Sequence, residues 1–331
     1  MKIVSLLASG TELVAALGLG ESLVGRSHEC DHPAWVKRLP ALSRPAFDIH
    51  GTSAEIDARV RERLRAGLPL YEVDEAQLAA LAPDFIITQT HCEVCAVSPG
   101  DLQPQEPSEG SRTLPRRTPL GEAEPRPRAH GVTARLERHQ VVALSTGTID
   151  GILDGFARVA EVLGAAEAGR VLVAGIRGRL AALAAQTRPL PRRRVACLEW
   201  IEPLFEMGNW GPEIVEIAGG QSLLSAPGAH STTVAFEALR DADPEIIVVA
   251  PCGFELTRTL AELPVLTSRP GWRELGAVRA GRAFAADGNF YFNRSGPMLF
   301  DTPEILAEML HPREFAPRHQ GTVWRRLPTE G

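Results

Sequence analysis

The sequence predicts an α/β fold: two similar Rossmann-like lobes with mainly parallel sheets, joined by a single long α-helix. Three observations carry that expectation. Short β-type runs alternate with helical segments along the chain, a pattern that builds layered α/β structure around parallel strands. Two stretches recur in the same order in each half, Glu12–Gly18 resembling Glu213–Gly219 and Pro83–Ile87 resembling Pro244–Val248. Between the halves lies one Ala-rich run without proline, long enough to form a spine.

The chain opens on the apolar strand Lys2–Leu7, followed by a small turn at Ala8-Ser9-Gly10 and a helix from Thr11 to Leu17 that Gly18 stops. A helix over Ala54–Ala66 is closed by Gly67, and another over Glu75–Ala82 is opened by Asp74 and stopped by Pro83. Further strands are expected at Phe85–Thr88, Val141–Leu144, Val195–Leu198, Ile246–Val249 and Ala283–Ala286. Residues 103–138 break the pattern, because a segment rich in Pro, Arg, Glu and Ser cannot bury enough apolar surface to fold and reads as a disordered insertion. From Ala165 to Arg188, apolar Val171, Leu172, Ile176, Leu180 and Leu183 predict one helix of about 35 Å at 1.5 Å per residue. The expected division is a first lobe over 1–164, an interlobe helix over 165–188 and a second lobe over 189–331.

Composition narrows the function classes. With 331 residues and 44% hydrophobic content the chain can fill two cores, and it has no run approaching the ~18 apolar residues of a membrane span. A net charge of -6 and 5% aromatic residues argue against a nucleic-acid partner. Five cysteines form an odd set, and the first strand leaves no room for an export signal before it. Reduced thiols in the cytoplasm are therefore expected for the chain as it stands, and a periplasmic or cell-surface location if the native N-terminus is longer.

Polar chemistry gathers in loops at predicted strand ends, where open α/β sheets bind ligands. Ser27-His28-Glu29-Cys30-Asp31-His32-Pro33 packs two imidazoles, a thiol and two carboxylates together. His91-Cys92-Glu93-Val94-Cys95 and Pro251-Cys252-Gly253-Phe254 follow two other strands. The Cys92 and Cys95 spacing lets two sulfurs converge on one metal, with Cys30, His28, His91 or Cys252 to complete a closed site. The same cysteines would equally serve as small residues lining a cleft, whereas Cys197, inside an apolar strand, reads as core. Trp200, Phe205, Trp210, Phe254, Phe290, Tyr291 and Phe292 offer aromatic walls for a large flat ligand, each ring burying about 150 to 250 Å². Phe290 and Phe292 alternate with Tyr291 as in a strand, and Asn289, Asn293 and Arg294 surround them with donors, which assigns a binding role to Tyr291 and Arg294.

The segments SLLASGTEL (5–13), LVGRSHECDHP (23–33), ALAPDFIITQ (80–89), EWIEPLFEMGNW (199–210), EIAGGQSLL (216–224), DADPEIIVVAPCGF (241–254) and AVRAGRAFAADGNFYFNRSGP (277–297), in that order, resemble the cobalamin and iron-siderophore substrate-binding proteins of ABC importers. The resemblance covers nearly the whole chain except 103–138 and the last dozen residues. It implies a corrinoid or metal chelate held between the lobes with little hinge motion. It also implies that Ala8, Ser9, Gly10, Thr11, the 28–30 loop (His28, Cys30) and the 91–95 loop (His91, Cys92, Cys95) face Trp200, Glu202, Trp210, Cys252, Phe254 and the 289–294 loop (Tyr291, Arg294) across the cleft. In such proteins a glutamate on each lobe docks on permease arginines, seven residues before the Pro that opens a strand. Glu237 holds that place before Pro244, while Ala76 holds it before Pro83 with Glu75 beside it.

Two functional readings follow. The first is non-catalytic binding of cobalamin or a related corrinoid, with an importer or as a cytoplasmic carrier, in which His28 or His91 approaches the cobalt. The second is a cytoplasmic thiol-rich enzyme on the same fold, holding zinc or iron with Cys92, Cys95, Cys30 and His28.

Overall fold

The structure, a computed structural model, describes residues 1–90, 94, 96–98, 140–144 and 147–328. The expected insertion at 103–138 and the loop residues His91, Cys92 and Cys95 lie outside the described residues.

The first sheet is built from β1 (Ile3–Ser5), β2 (Leu23–Arg26), β5 (Phe85–Gln89) and β6 (Gln140–Leu144), all parallel in the order β2-β1-β5-β6. Between β2 and β5 the chain adds a separate antiparallel pair, β3 (Ser43–Pro45) and β4 (Tyr71–Val73). The second sheet centres on β7 (Arg193–Trp200), β9 (Gly220–Ser222), β11 (Ile246–Val249) and β12 (Ala283–Ala286), also parallel, in the order β9-β7-β11-β12. Antiparallel β8 (Phe205–Glu206), β10 (Thr232–Thr233) and β13 (Trp324–Arg326) extend its edges. Each parallel centre thus repeats the other strand for strand, and the antiparallel additions make the second sheet mixed.

The recurrence seen in the sequence holds at the level of atoms. Helix α1 (Ala8–Ala16) is followed by Gly18 at φ 76°, as the 211–217 helix is followed by Gly219 at φ 85°. Helix α2 (Ser53–Arg65) begins with a capping box, Thr52 and Glu55 each accepting the other's amide. Helix α3 (Glu75–Leu81) ends on Ala82 at φ 44°, and its counterpart over 236–242 ends on Asp243 at φ 43°. A proline follows each left-handed residue and forbids another helical turn. The next acid then bonds the start of the neighbouring strand: the Lys2 amide donates to Asp84 Oδ2 at 2.7 Å, and the Arg194 amide to Glu245 Oε2 at 3.0 Å.

Helix α4 (Ile149–Val162) and the spine α5 (Ala166–Thr187) connect the halves. The spine turns Ile176, Leu180 and Leu183 inward, and its Thr187 hydroxyl donates to the Ile217 carbonyl of helix α6 (Gly211–Ile217). One continuous apolar cluster contains residues of the first sheet, the spine and the second sheet, including Leu13, Phe156, Leu180, Val215 and Phe284. Opening the lobes apart along this seam would expose core, so the packing restricts the hinge.

Two expectations are corrected. Ala8, Ser9 and Gly10 form the first turn of α1 instead of a free turn, because all three are buried against the sheet and a side chain at Gly10 would meet Ile87 Cγ2 at 2.6 Å. Tertiary packing overrides the turn preference of Ser-Gly here. Residues 290–292 are not a strand: Gly288–Phe292 make a π-helical turn whose start is capped by Asp287 accepting the Phe290 amide at 2.8 Å.

After α6 come α7 (Phe236–Ala242) and α8 (Leu256–Glu262), and α8 meets the first lobe. Its Glu262 Oε1 accepts from the Ser53 amide at 2.7 Å and the Ser53 hydroxyl at 2.8 Å, at the free N-terminus of α2. Glu213 of α6 does the same for α4, accepting the Ile149 amide at 2.8 Å. Because Ser53 is fully buried, Glu262→Ala strands two donors and should lower stability by about 2 kcal/mol; a urea titration checks this, and an unchanged midpoint would show that the contact carries no load.

Candidate functional site

Loops at the carboxyl ends of both parallel sheets meet between the lobes. From the first lobe come the N-terminal turn of α1 and residues 27–33 after β2; from the second come residues 199–206, 250–254 and 287–296, after β7, β11 and β12.

At the centre lies Arg294, only 9% exposed. Its guanidinium donates to both Asp31 oxygens at 2.6 and 3.0 Å, to Glu12 Oε1 at 3.4 Å and to Asn289 Oδ1 at 2.9 Å. Phe290 lies beneath it, 5.6 Å from ring centre to guanidinium carbon, and meets His32 edge-on at 4.9 Å. Ser9 and Ser295 hydroxyls sit 3.4 Å apart nearby. Gly296 closes the contact, since a side chain there would strike the Glu12 carboxylate at 2.2 Å and the Ser9 backbone at 3.1 Å.

Electrostatics follow from this burial. Burial pushes Glu12 up to about 7 against the pull of Arg294. For Arg294 burial opposes the charge, but hydrogen bonds and charge from Asp31, then Glu12, outweigh it and hold the guanidinium ionised. Asp31 is likewise opposed by burial, yet its bonds to Arg294 hold it below the usual carboxylate range. Burial raises Glu29 to about 7, against the pull of Arg294.

The remaining predicted residues fall into separate groups. Thr11 is buried and donates to Cys30 Sγ at 3.0 Å; the Ser27 hydroxyl lies 3.3 Å from the same sulfur, and burial raises this thiol's pKa. His28 turns toward β3 and β4, its Nδ1 2.8 Å from the Ser43 hydroxyl and its ring 5.4 Å from Tyr71. Burial, then the charge of Arg26, lowers it to about 4, so the imidazole is neutral at pH 7. In the second lobe Trp200 packs on Phe254 at 5.2 Å, Arg258 covers Phe254 at 4.3 Å, and Arg269 pairs with Glu202. Cys252 is half-buried and its amide donates to the Glu199 carbonyl at 2.9 Å. Tyr291 is half-buried beside Phe290 at 5.1 Å. Trp210 stands apart: it is 7% exposed and its Nε1 donates to the Phe292 carbonyl at 3.0 Å, which anchors the 288–292 turn from beneath. Cys197 is core, as expected. Among the described residues no three His, Cys, Asp or Glu side chains form a group that could hold a metal.

A family model described as "Periplasmic binding protein" matches residues 134–289. Solved structures match over nearly the full length. The periplasmic vitamin B12-binding protein BtuF of Vibrio cholerae is 19% identical with a TM-score of 0.61, covering 93% of this chain and 96% of its own. A periplasmic heme-binding protein from Pseudomonas aeruginosa is 21% identical with a TM-score of 0.64, covering 94% and 93%. The periplasmic heme-binding protein RhuT from Roseiflexus sp. RS-1 is 18% identical with a TM-score of 0.63, covering 95% and 98%. This chain has the periplasmic binding protein fold. No curated protein matches it in sequence. The agreement is in fold, with the type of protein that the ordered segments resemble.

Local sequence missed Glu12, which reads as an ordinary helix position; its partner Arg294 is 282 residues away. It also missed Ser53 and Glu262, whose pairing needs both lobes.

Two outcomes are expected. The folded protein holds a proton on Glu12 that the unfolded chain has released between pH 4.5 and about 7, so this group makes stability fall as pH rises through that window, by on the order of 3 kcal/mol. Urea denaturation at a series of pH values should therefore show Glu12→Gln gaining on the parent as pH rises; parallel curves would refute the assignment. Arg294→Ala leaves Asp31 and Glu12 without their cation and should cost about 3–5 kcal/mol in the same measurement.

Proposed function

We propose that this chain binds cobalamin or a related corrinoid or metal chelate in the cleft between its lobes, without catalysis, as the substrate-binding component of an ABC importer or as a cytoplasmic carrier. The observation that carries the proposal is the meeting of both lobes' strand-end loops, with Trp200 and Phe290 on one side and the 27–33 loop on the other, Phe254 being buried behind Trp200 and Arg258. Aromatic faces of this kind suit a flat macrocycle. The division into a lobe over 1–164, a helix over 165–188 and a lobe over 189–331 is part of the proposal.

His28 supports a ligand that contains a metal. Its ring is neutral at pH 7 and held at Nδ1 by the Ser43 hydroxyl, with Nε2 4.0 Å from Glu29 Oε1, and an axial role in this reading requires Nε2 to carry no proton. Ser9, Cys252, Glu202, Tyr291 and the loop bearing His91, Cys92 and Cys95 complete the proposed contacts. The thiol-enzyme reading requires Cys30 to reach a zinc or iron ion, whereas the residue is 1% exposed and its sulfur is engaged with Thr11 and Ser27.

For a permease partner, Glu237 near the start of α7 and Glu75 at the start of α3 are exposed on helices that hold matching places in the two lobes. The solved relatives named above are periplasmic proteins, which supports the same compartment here. No helix among the described residues is long and apolar enough to cross a membrane.

Calorimetric titration with cyanocobalamin, after metal analysis of the same sample, tests the reading. Saturable one-to-one binding to metal-free protein is expected, weakened roughly tenfold or more by Trp200→Ala or Phe290→Ala. Absence of binding, together with stoichiometric zinc or iron lost in Cys92→Ser/Cys95→Ser, would overturn it.

A further inference from the structure

The cleft's charges say more about its ligand than its shape does. Three arginines reach the cleft region from the second lobe, and each is already engaged by the protein. Arg294 is bound to Asp31, Glu12 and Asn289. Arg269 is paired with Glu202. Arg258 donates to the Gly51 carbonyl and lies 3.9 Å from Glu262. A carboxylate on an incoming ligand would have to break one of these contacts to find a cation.

Carboxylates, by contrast, are in excess. Glu12, Glu29, Asp31 and Asp287 all interact electrostatically with the single guanidinium of Arg294, and Glu255 with Asp287. Asp31 and Arg294 neutralise each other; Lys37 acts on Asp31 and Arg26 on His28, and against these cations stand Glu12, Glu29, Asp287 and Glu255, the first three raised by burial. Glu29 has only the neutral ring of His28 as a described ion-pair neighbour, at 4.0 Å. Asp287 accepts backbone amides, from Phe290 at 2.8 Å and from Asn289, and Glu255 is exposed beside Phe254. The described imidazoles add no compensating charge, because burial lowers both His28 and His32. A negative field inside a narrow cleft repels anions and favours cations and hydrogen-bond donors.

Resting on the cleft reading above, we infer that this cleft discriminates by charge: it accepts a neutral or cationic chelate whose rim carries hydrogen-bond donors such as amides, and it rejects chelates whose rim carries carboxylates. The aromatic wall accommodates either kind of ring. The carboxylate surplus decides between them, because opposing an unpaired charge is a stronger discriminator than adding one more contact.

The test compares two corrins that share ring, cobalt and axial cyanides. Dicyanocobinamide carries amides at its rim, and dicyanocobyrinic acid carries carboxylates. With the full chain at pH 7.5 and about 0.01 M salt, calorimetry should show the cobinamide bound at least about 100-fold more tightly. The gap should shrink toward 1 M salt, as the screening length falls from about 30 Å to about 3 Å. It should also shrink at low salt by about tenfold in Glu255→Gln/Asp287→Asn, which removes two surplus charges without touching the Arg294–Asp31 pair. Equal or tighter binding of the carboxylate corrin would overturn the inference and leave the cleft reading standing. So would a gap insensitive to both salt and the two substitutions. Failure of both corrins to bind would instead remove the cleft reading, and this inference with it.

Discussion

The interface between the lobes is organised by one buried cation. A guanidinium that is 9% exposed must be met by hydrogen-bond acceptors on several sides, because an unpaired charge at such a site is costly. Arg294 obtains them from both halves of the chain: Asp31 and Glu12 from the first, Asn289 from its own loop. That requirement fixes the 27–33 loop against the 287–296 loop and brings α1 up to Gly296, where no side chain would fit. Such a pair adds little net stability over an apolar contact of the same shape. Its consequence is registry, since displacing either lobe leaves charges buried without partners.

Around this contact the lobes are joined by helix termini. The first turns of α2 and α4 present amides that no residue of their own helix can satisfy, and Glu262 and Glu213 supply acceptors from the second lobe. Together with the spine and the apolar cluster that runs through it, these contacts make the two lobes a restricted pair.

The two halves reach this arrangement by the same local means. In each, a helix ends on a left-handed residue, a proline forbids its continuation, and the next acid accepts a backbone amide at the start of the adjacent strand. The device sets the register of the central strand pair and so the direction in which both sheets point their carboxyl ends. Differences are confined to the periphery, where the first lobe carries the β3–β4 pair and the second carries antiparallel edges. The strand-end loops that meet between the lobes therefore differ from each other on scaffolds that do not.

The sequence by itself determined the elements and their order. Apolar runs located β1, β5, β6, β7, β11 and β12 to within one or two residues but not the short strands such as β2, β3, β4 and β9, while Gly and Pro marked helix ends and the Ala-rich stretch set the spine. Some local signals misled: Ala8-Ser9-Gly10 carries turn residues yet is helical because the sheet needs a small surface at Gly10, and the alternation at 290–292 is a π-helical turn held by Asp287. Aromatic character likewise grouped Trp210 with the cleft, although its ring is buried under that turn. The tertiary structure alone decided which charges meet. Glu12 and Arg294, or Ser53 and Glu262, are hundreds of residues apart, and the protonation and partners of a buried group follow from the surfaces packed against it, which no local pattern encodes.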